Sequence, residues 1–439
     1  MAEQKQAFGD DYSLSRVPLS ARKSLWSITI VRIGAFATIS QFMLGATMGY
    51  GLTFKDALIA TILGSLLLQI IGFLLGYAGA KEGLSTSLLA RWTGFGRHGS
   101  TILGLIIAIS CIGWFGIQNS VFASGLVEAT NGKLPLLAAT FLTGLGVTLL
   151  VIFGFKVLSI TATIAVPLFL VAVGFGIVSV FKENSFFELL RTEPAGDSLT
   201  IGIAATMVAG GFIVGAIITP DYSRFARNGK DVFWMTTIGL IVGELGINMI
   251  AVLLALATRT SDVVSIMVST TGLLAALVVV SSTIKINNMN LYSASLSVTS
   301  VFDSVFKLKL NRGIVTLIIG VVGTVLSAIG ILDRFVDFLV ILGVLVPPIA
   351  GIMVIDYFVL KTYRKELDQS RALGTLPNIE GVLSPITLIA WAAGFIVGYF
   401  VPWGIPSLNA LFISGLIYYV GQLVLQSAKK NSVVTVKND

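Results

Sequence analysis

SSTIKINNMNLYS, residues 281–293, lies within an apolar run that begins near Thr270 and meets no charge cluster until Asp303 and Lys307. A lysine at the midpoint of a membrane-length helix costs about 3 kcal/mol on insertion scales, and here Lys285 is followed at once by Asn287, Asn288 and Asn290. In helical projection Ser281, Lys285, Asn288, Tyr292, Ser295 and Thr299 fall within about 80° of one another. A face of that kind cannot meet lipid. It lines either a cavity or a polar seam between helices.

The rest of the chain has the character of this segment. Its 439 residues are 55% hydrophobic and 12% charged, with mean hydropathy +0.92, whereas soluble domains carry about 25% charged residues. Apolar runs of about 20 residues recur, the length that crosses a bilayer as a helix rather than as a barrel strand. The fold class is all-α integral membrane. One cysteine, Cys111, excludes an intramolecular disulfide framework, and one histidine, His98, argues against a His-based metal site. The first 24 residues are polar, without a short apolar core or a small-residue cleavage site, so the first apolar run is a retained span. The net charge of +7 fits basic loops at a membrane face, not nucleic-acid binding.

Twelve spans are read, at 25–50, 55–79, 100–126, 134–153, 157–181, 199–219, 232–258, 270–302, 313–331, 334–356, 384–402 and 405–427. With the N-terminus inside, 21 Lys and Arg fall on the inner side against 6 outside, and Arg32 and Lys285 lie within spans, which accounts for all 29. Both termini are therefore expected in the cytoplasm, and the protein in the cytoplasmic membrane. Span 1 (IVRIGAFATISQF, 30–42) and span 6 (TMVAGGFIVGAIITP, 206–220) each carry glycine inside an apolar run, where helical hydrogen bonding can lapse. Broken helices 1 and 6 at corresponding places point to an inverted repeat with a site at mid-membrane, although glycine also serves plain helix contacts. The expected organisation is a cytoplasmic tail at 1–24, a first repeat at 25–181, a second at 199–356, a cytoplasmic loop at 357–383, a terminal helix pair at 384–427 and a C-terminal tail at 428–439.

Span 3 places Ser110, Trp114 and Gln118 on one face. A tryptophan away from the membrane interface beside a glutamine provides a stacking surface and an edge reader for a flat heterocycle, or a packed indole with a helix–helix amide bond. Glu244 of span 7 lies at a depth similar to that of Lys285 and is a candidate counter-charge. Arg32, two turns into span 1, either snorkels to the inner surface or contacts a cytoplasmic gate.

The segments GYAGAKEGLSTSLLAR (76–91), IGWFG (112–116), TPDYSRFARN (219–228), NNMNLYSASL (287–296) and PPIAGIMVIDYF (347–358) resemble the nucleobase–cation symporter family of the purine–cytosine permease type. The similarity runs collinearly from residue 20 to the last spans. It implies a five-plus-five inverted-repeat core, two further helices, and import of a nucleobase or related heterocycle by alternating access and cation symport. It also implies a base stacked between Trp114 and Phe212, beside Cys111 and Gly211, with Gln118 and Asn287 or Asn288 reading the ring edge. The chain departs from the pattern where the family's cytosine permeases have glutamine, here Cys111, and serine, here Val214. Sodium-coupled members place two adjacent hydroxyl residues on helix 8, and Lys285 and Ile286 stand there instead. Neither offers the side-chain oxygen that a hard cation wants.

Lys285, with Gly34, Thr38 and Glu244, thus forms the expected cation-coupling group. The lysine ammonium takes the place of sodium against the unwound part of helix 1, and a proton is favoured over Na+ as coupling ion. The alternative is a sodium-coupled permease for hydantoin, allantoin or hydroxymethylpyrimidine. No other cofactor, no metal, no nucleic acid and no obligatory protein partner is expected beyond the bilayer and the small-molecule substrate. A membrane-embedded enzyme would show clustered His, Cys or paired carboxylates, and a channel a repeated filter or charge ring. The sequence offers neither.

Overall fold

The computed structural model describes residue 12 and residues 15–436, apart from 154, 273, 309 and 402. Most of the expected tail at 1–24, the end of the tail at 428–439, and Lys5, Lys309 and Lys437 of the charge count lie outside the described residues. Helices dominate the remainder: α1 (Leu25–Phe36), α2 (Ile39–Gly51), α3 (Phe54–Glu82), α4 (Gly96–Ala129), α5 (Leu136–Phe153), α6 (Phe155–Glu183), α7 (Ile201–Ile217), α8 (Gly229–Thr258), α9 (Leu274–Phe306), α10 (Arg312–Ala328), α11 (Ile331–Leu360), α12 (Pro385–Phe400) and α13 (Pro406–Val436). Among the described residues, five helices are each long and apolar enough to cross a membrane, and the bent pair α1 and α2 makes a sixth. Side chains such as Leu142, Ile318, Ile389 and Phe412 point outward from the bundle, as a wall facing acyl chains requires.

Local chemistry sets the helix ends. The Thr53 hydroxyl accepts from the Asp56 amide at 3.2 Å and starts α3, and Gly83, at φ 65°, ends it by returning its N–H to Gly79 O at 2.8 Å. The α1/α2 pair bends by 54° at Ala37–Thr38, where Thr38 is extended with φ −139° and ψ 155°. Helix 6 differs from the sequence expectation. α7 runs unbroken through Gly210 and Gly211 to Ile217, and the chain turns only at Ile218, before the short helix Thr219–Ser223 that contains Pro220. Gly210 serves contact instead of a break, because a Cβ there would collide with the Leu339 carbonyl oxygen of α11, and Gly343 of α11 is pressed in the same way on Thr206 O. In α8, residues Ile241–Asn248 form a π-helical turn, a local widening often found at functional sites.

At the end of α3, Glu82 is fully buried. It accepts from Arg16 Nη1 at 3.0 Å, Arg371 Nη1 at 2.7 Å and the Tyr357 hydroxyl at 2.7 Å. One carboxylate thereby ties the N-terminal segment, α3, α11 and the short helix Arg364–Ala372. Burial pulls the Arg16 pKa below its ordinary value, against the opposing pull of Glu82. Removing the carboxylate leaves Arg16 buried without its charge partner, a class of change that costs about 3–5 kcal/mol. Glu82→Ala should therefore lower the detergent-solubilised melting temperature sharply, and an unchanged melt would show that Glu82 carries little of the packing at this end of α3.

Candidate functional site

The break between α1 and α2 leaves backbone groups without helical partners. Thr38 N–H turns back to Phe36 O at 2.7 Å, so Gly34 O, which Thr38 would otherwise bond, is open. Lys285 Nζ of α9 donates to it at 3.0 Å. One turn earlier on α9, the Ser282 hydroxyl accepts from Ile39 N–H at 3.2 Å. The ammonium thus meets the carbonyl end of α1, where the helix dipole is negative, and the hydroxyl oxygen meets the amide start of α2, where it is positive. The Thr38 and Ser40 hydroxyls lie 2.9 Å apart at the same bend.

Beside this bend lies a cavity of about 170 Å³, smaller than the roughly 300–1,000 Å³ of drug-sized ligand sites and of a size for one flat ring. α1 and α2 contribute Gly34, Thr38 and Gln41; α4 contributes Cys111 and Trp114; α7 contributes Gly211 and Phe212; α9 contributes Lys285, Asn290 and Ser293. The Trp114 ring is held edge-to-face by Phe338, with centroids 5.3 Å apart and planes at 86°, and by Phe335 at 6.1 Å. Phe212 is stacked on Phe36 at 3.8 Å and 19°. The Arg32 guanidinium carbon lies 4.6 Å from the Phe212 centroid and 5.5 Å from that of Phe36. It thus makes cation–π contacts with both rings of the stacked pair. Arg32 is 2% exposed and donates to Gly215 O at 2.9 Å, so it is a buried tie between α1 and α7 and does not snorkel.

Four of the expected residues lie off the cavity. Asn287 turns to α4 and donates to Phe115 O at 3.3 Å. Asn288 is buried, with its Oδ1 unpaired. Gln118, one turn beyond Trp114, is completely buried with neither amide atom paired. Glu244 does not reach Lys285; its Oε2 accepts from Gln41 Nε2 at 2.8 Å. The cause on α9 is rotational. The face turned to the cavity carries Ile286, Met289, Asn290 and Ser293, about 130° around an ideal helix from the polar stripe, with Lys285 at the shared edge. The stripe itself makes a packing seam: the Ser295 and Thr299 hydroxyls bond carbonyls of their own helix, and Arg312 of α10 covers the Tyr292 ring at 4.1 Å. Gln41, Asn290 and Ser293 line the cavity but were not among the expected site residues, although Asn290 stood out as an amide inside a span. Gln41 also carries a signal, as a glutamine three residues past an expected helix break.

Comparison with known proteins bears on the family and the fold. The model of a family described as permease for cytosine/purines, uracil, thiamine, allantoin matches residues 16–421. The cytosine permease of Escherichia coli (strain K12) is 29% identical over 412 residues, 94% of each chain. The inward-facing conformation of Mhp1 superimposes with TM-score 0.80 at 16% identity, over 98% of this chain and 96% of that one. Mhp1 in a closed conformation with bromovinylhydantoin bound, described as a nucleobase-cation-symport-1 family transporter, gives 0.70 at 18% identity, over 95% and 96%. The chain is thus a multi-pass membrane transporter and not an enzyme, and it belongs to the family of permeases for cytosine/purines, uracil, thiamine and allantoin.

Proposed function

We propose that the protein imports a nucleobase or related flat nitrogen heterocycle across the cytoplasmic membrane by proton symport, with Lys285 in the place of a coupling sodium ion. The observation that carries this reading is the ammonium on Gly34 O at the break in helix 1. Protonated, Lys285 holds α9 to the open carbonyl end of α1. Deprotonated, it releases that end, so proton binding and the exchange between outward and inward states are linked. The transport frame is that of twelve spans with both termini in the cytoplasm and a five-plus-five repeat followed by two helices.

The substrate ring lies between Trp114 and Phe212, beside Gly211 and Cys111. The unpaired amide of Gln118, one turn from Trp114, supports a role in reading the ring edge, since a buried amide without partners awaits a ligand or water. Asn290, whose buried Nδ2 is also unpaired, is a better placed reader on α9 than Asn287 or Asn288. The sodium-coupled alternative has the Thr38 and Ser40 hydroxyls as oxygen ligands, but the carbonyl beside them already carries the ammonium.

Loss of one aromatic face removes about 1–3 kcal/mol of stacking. Trp114→Ala should weaken binding of the best substrate by one to two decades in a competition assay, and unchanged affinity for every base tested would overturn the stacking assignment. Lys285→Ala in proteoliposomes should abolish accumulation against a gradient while downhill exchange persists. Retained accumulation would remove Lys285 from coupling.

A further inference from the structure

Glu244 has no place in the coupling scheme above, yet it is one of the most deeply buried carboxyl groups among the described residues, with no exposed surface. It lies in the π-helical turn of α8 that faces the break in helix 1. α8 follows both halves of that helix: a Cβ on Gly239 would meet the Arg32 side chain, one on Gly243 would strike the Phe36 ring, and Asn248 crowds Gly45. Glu244 sits between the last two contacts and holds the Gln41 amide at 2.8 Å. Its other oxygen, Oε1, has no partner. Gln41 lines the cavity and Glu244 does not.

We propose that Glu244 is a positioning residue that fixes which end of the Gln41 amide faces the substrate. A primary amide has a donor end and an acceptor end, and a half-turn about its last bond exchanges them. In the structure Glu244 Oε2 takes the NH2 end of that amide, which leaves the Oε1 end for the cavity that Gln41 lines. The site then selects, on the helix 1 side, a heterocycle that offers an N–H, from the ring or an exocyclic amino group, over one of the same shape that offers a lone pair. Such discrimination comes from the cost of stranding a buried acceptor against another acceptor.

The proposal rests on the heterocycle-transport reading, and the test separates the two. Competition binding is measured for shape-matched pairs that exchange donor and acceptor, cytosine against uracil and adenine against hypoxanthine, in wild type, Glu244→Gln, Gln41→Leu and the double variant. A glutamine at 244 both donates and accepts, so Gln41 can present either end, and the selectivity ratio of at least one pair should fall by about tenfold, the worth of one neutral hydrogen bond. Gln41→Leu, which leaves Glu244 in place, should collapse the same ratio, and adding Glu244→Gln to it should change the ratio no further. Equal weakening of all four ligands by Glu244→Gln overturns the proposal, as does an unchanged ratio in Gln41→Leu, which applies even if the Glu244 variants do not fold. Failure of wild type to bind any of the four would instead overturn the underlying substrate reading.

Discussion

A transmembrane helix that stops at Phe36 and restarts at Ile39 exposes backbone carbonyls and amides where no bulk water can satisfy them, and the structure around the site answers that constraint. Each unsatisfied group would cost several kcal/mol in hydrocarbon. Lys285 and Ser282 of α9 meet the two open ends. The charge that looked expensive in an isolated span is therefore placed against the negative end of α1, while the hydroxyl oxygen takes the positive end of α2. This arrangement couples two helices through contacts that depend on one titratable group.

The cavity follows from the same break. Because α1 and α2 diverge by 54°, the side chains of Thr38 and Gln41 can face α4 and α7 across a space of single-ring size. Trp114 and Phe212 are braced from behind by Phe338 and Phe36, which fixes two aromatic planes at little conformational cost. The polar groups are fewer and less complete. Asn290 retains an unpaired buried amide atom at the cavity, while Gln118 and Asn288 keep theirs off it.

Much of this was legible in the sequence for specific reasons. Lys285 is conspicuous because charge inside a span is costly, and Gly34 to Thr38 because glycine and a β-branched residue interrupt an apolar run. Trp114 stands out by its depth, and Phe212 entered through family resemblance. What could not be read was helix phase. The polar stripe of α9 was visible, but the stripe serves packing and the cavity face is rotated away from it, so Asn287 and Asn288 drew attention that belonged to Asn290. The break of helix 6 was misplaced for a related reason: Gly210 permits close approach of α11, a use of glycine that local sequence cannot distinguish from a kink. The Glu82 hub joins residues up to 289 positions apart, and no local pattern announces a contact of that range.

The central claim is that an ammonium, not a sodium ion, closes the break in helix 1. Its most direct test is uptake of a labelled base into proteoliposomes that contain wild-type protein in nominally sodium-free buffer, with an imposed pH gradient, acid outside. The account predicts accumulation above equilibrium that collapses with a protonophore and does not rise when sodium is added at constant pH. Accumulation that requires a sodium gradient and ignores the pH gradient would contradict it.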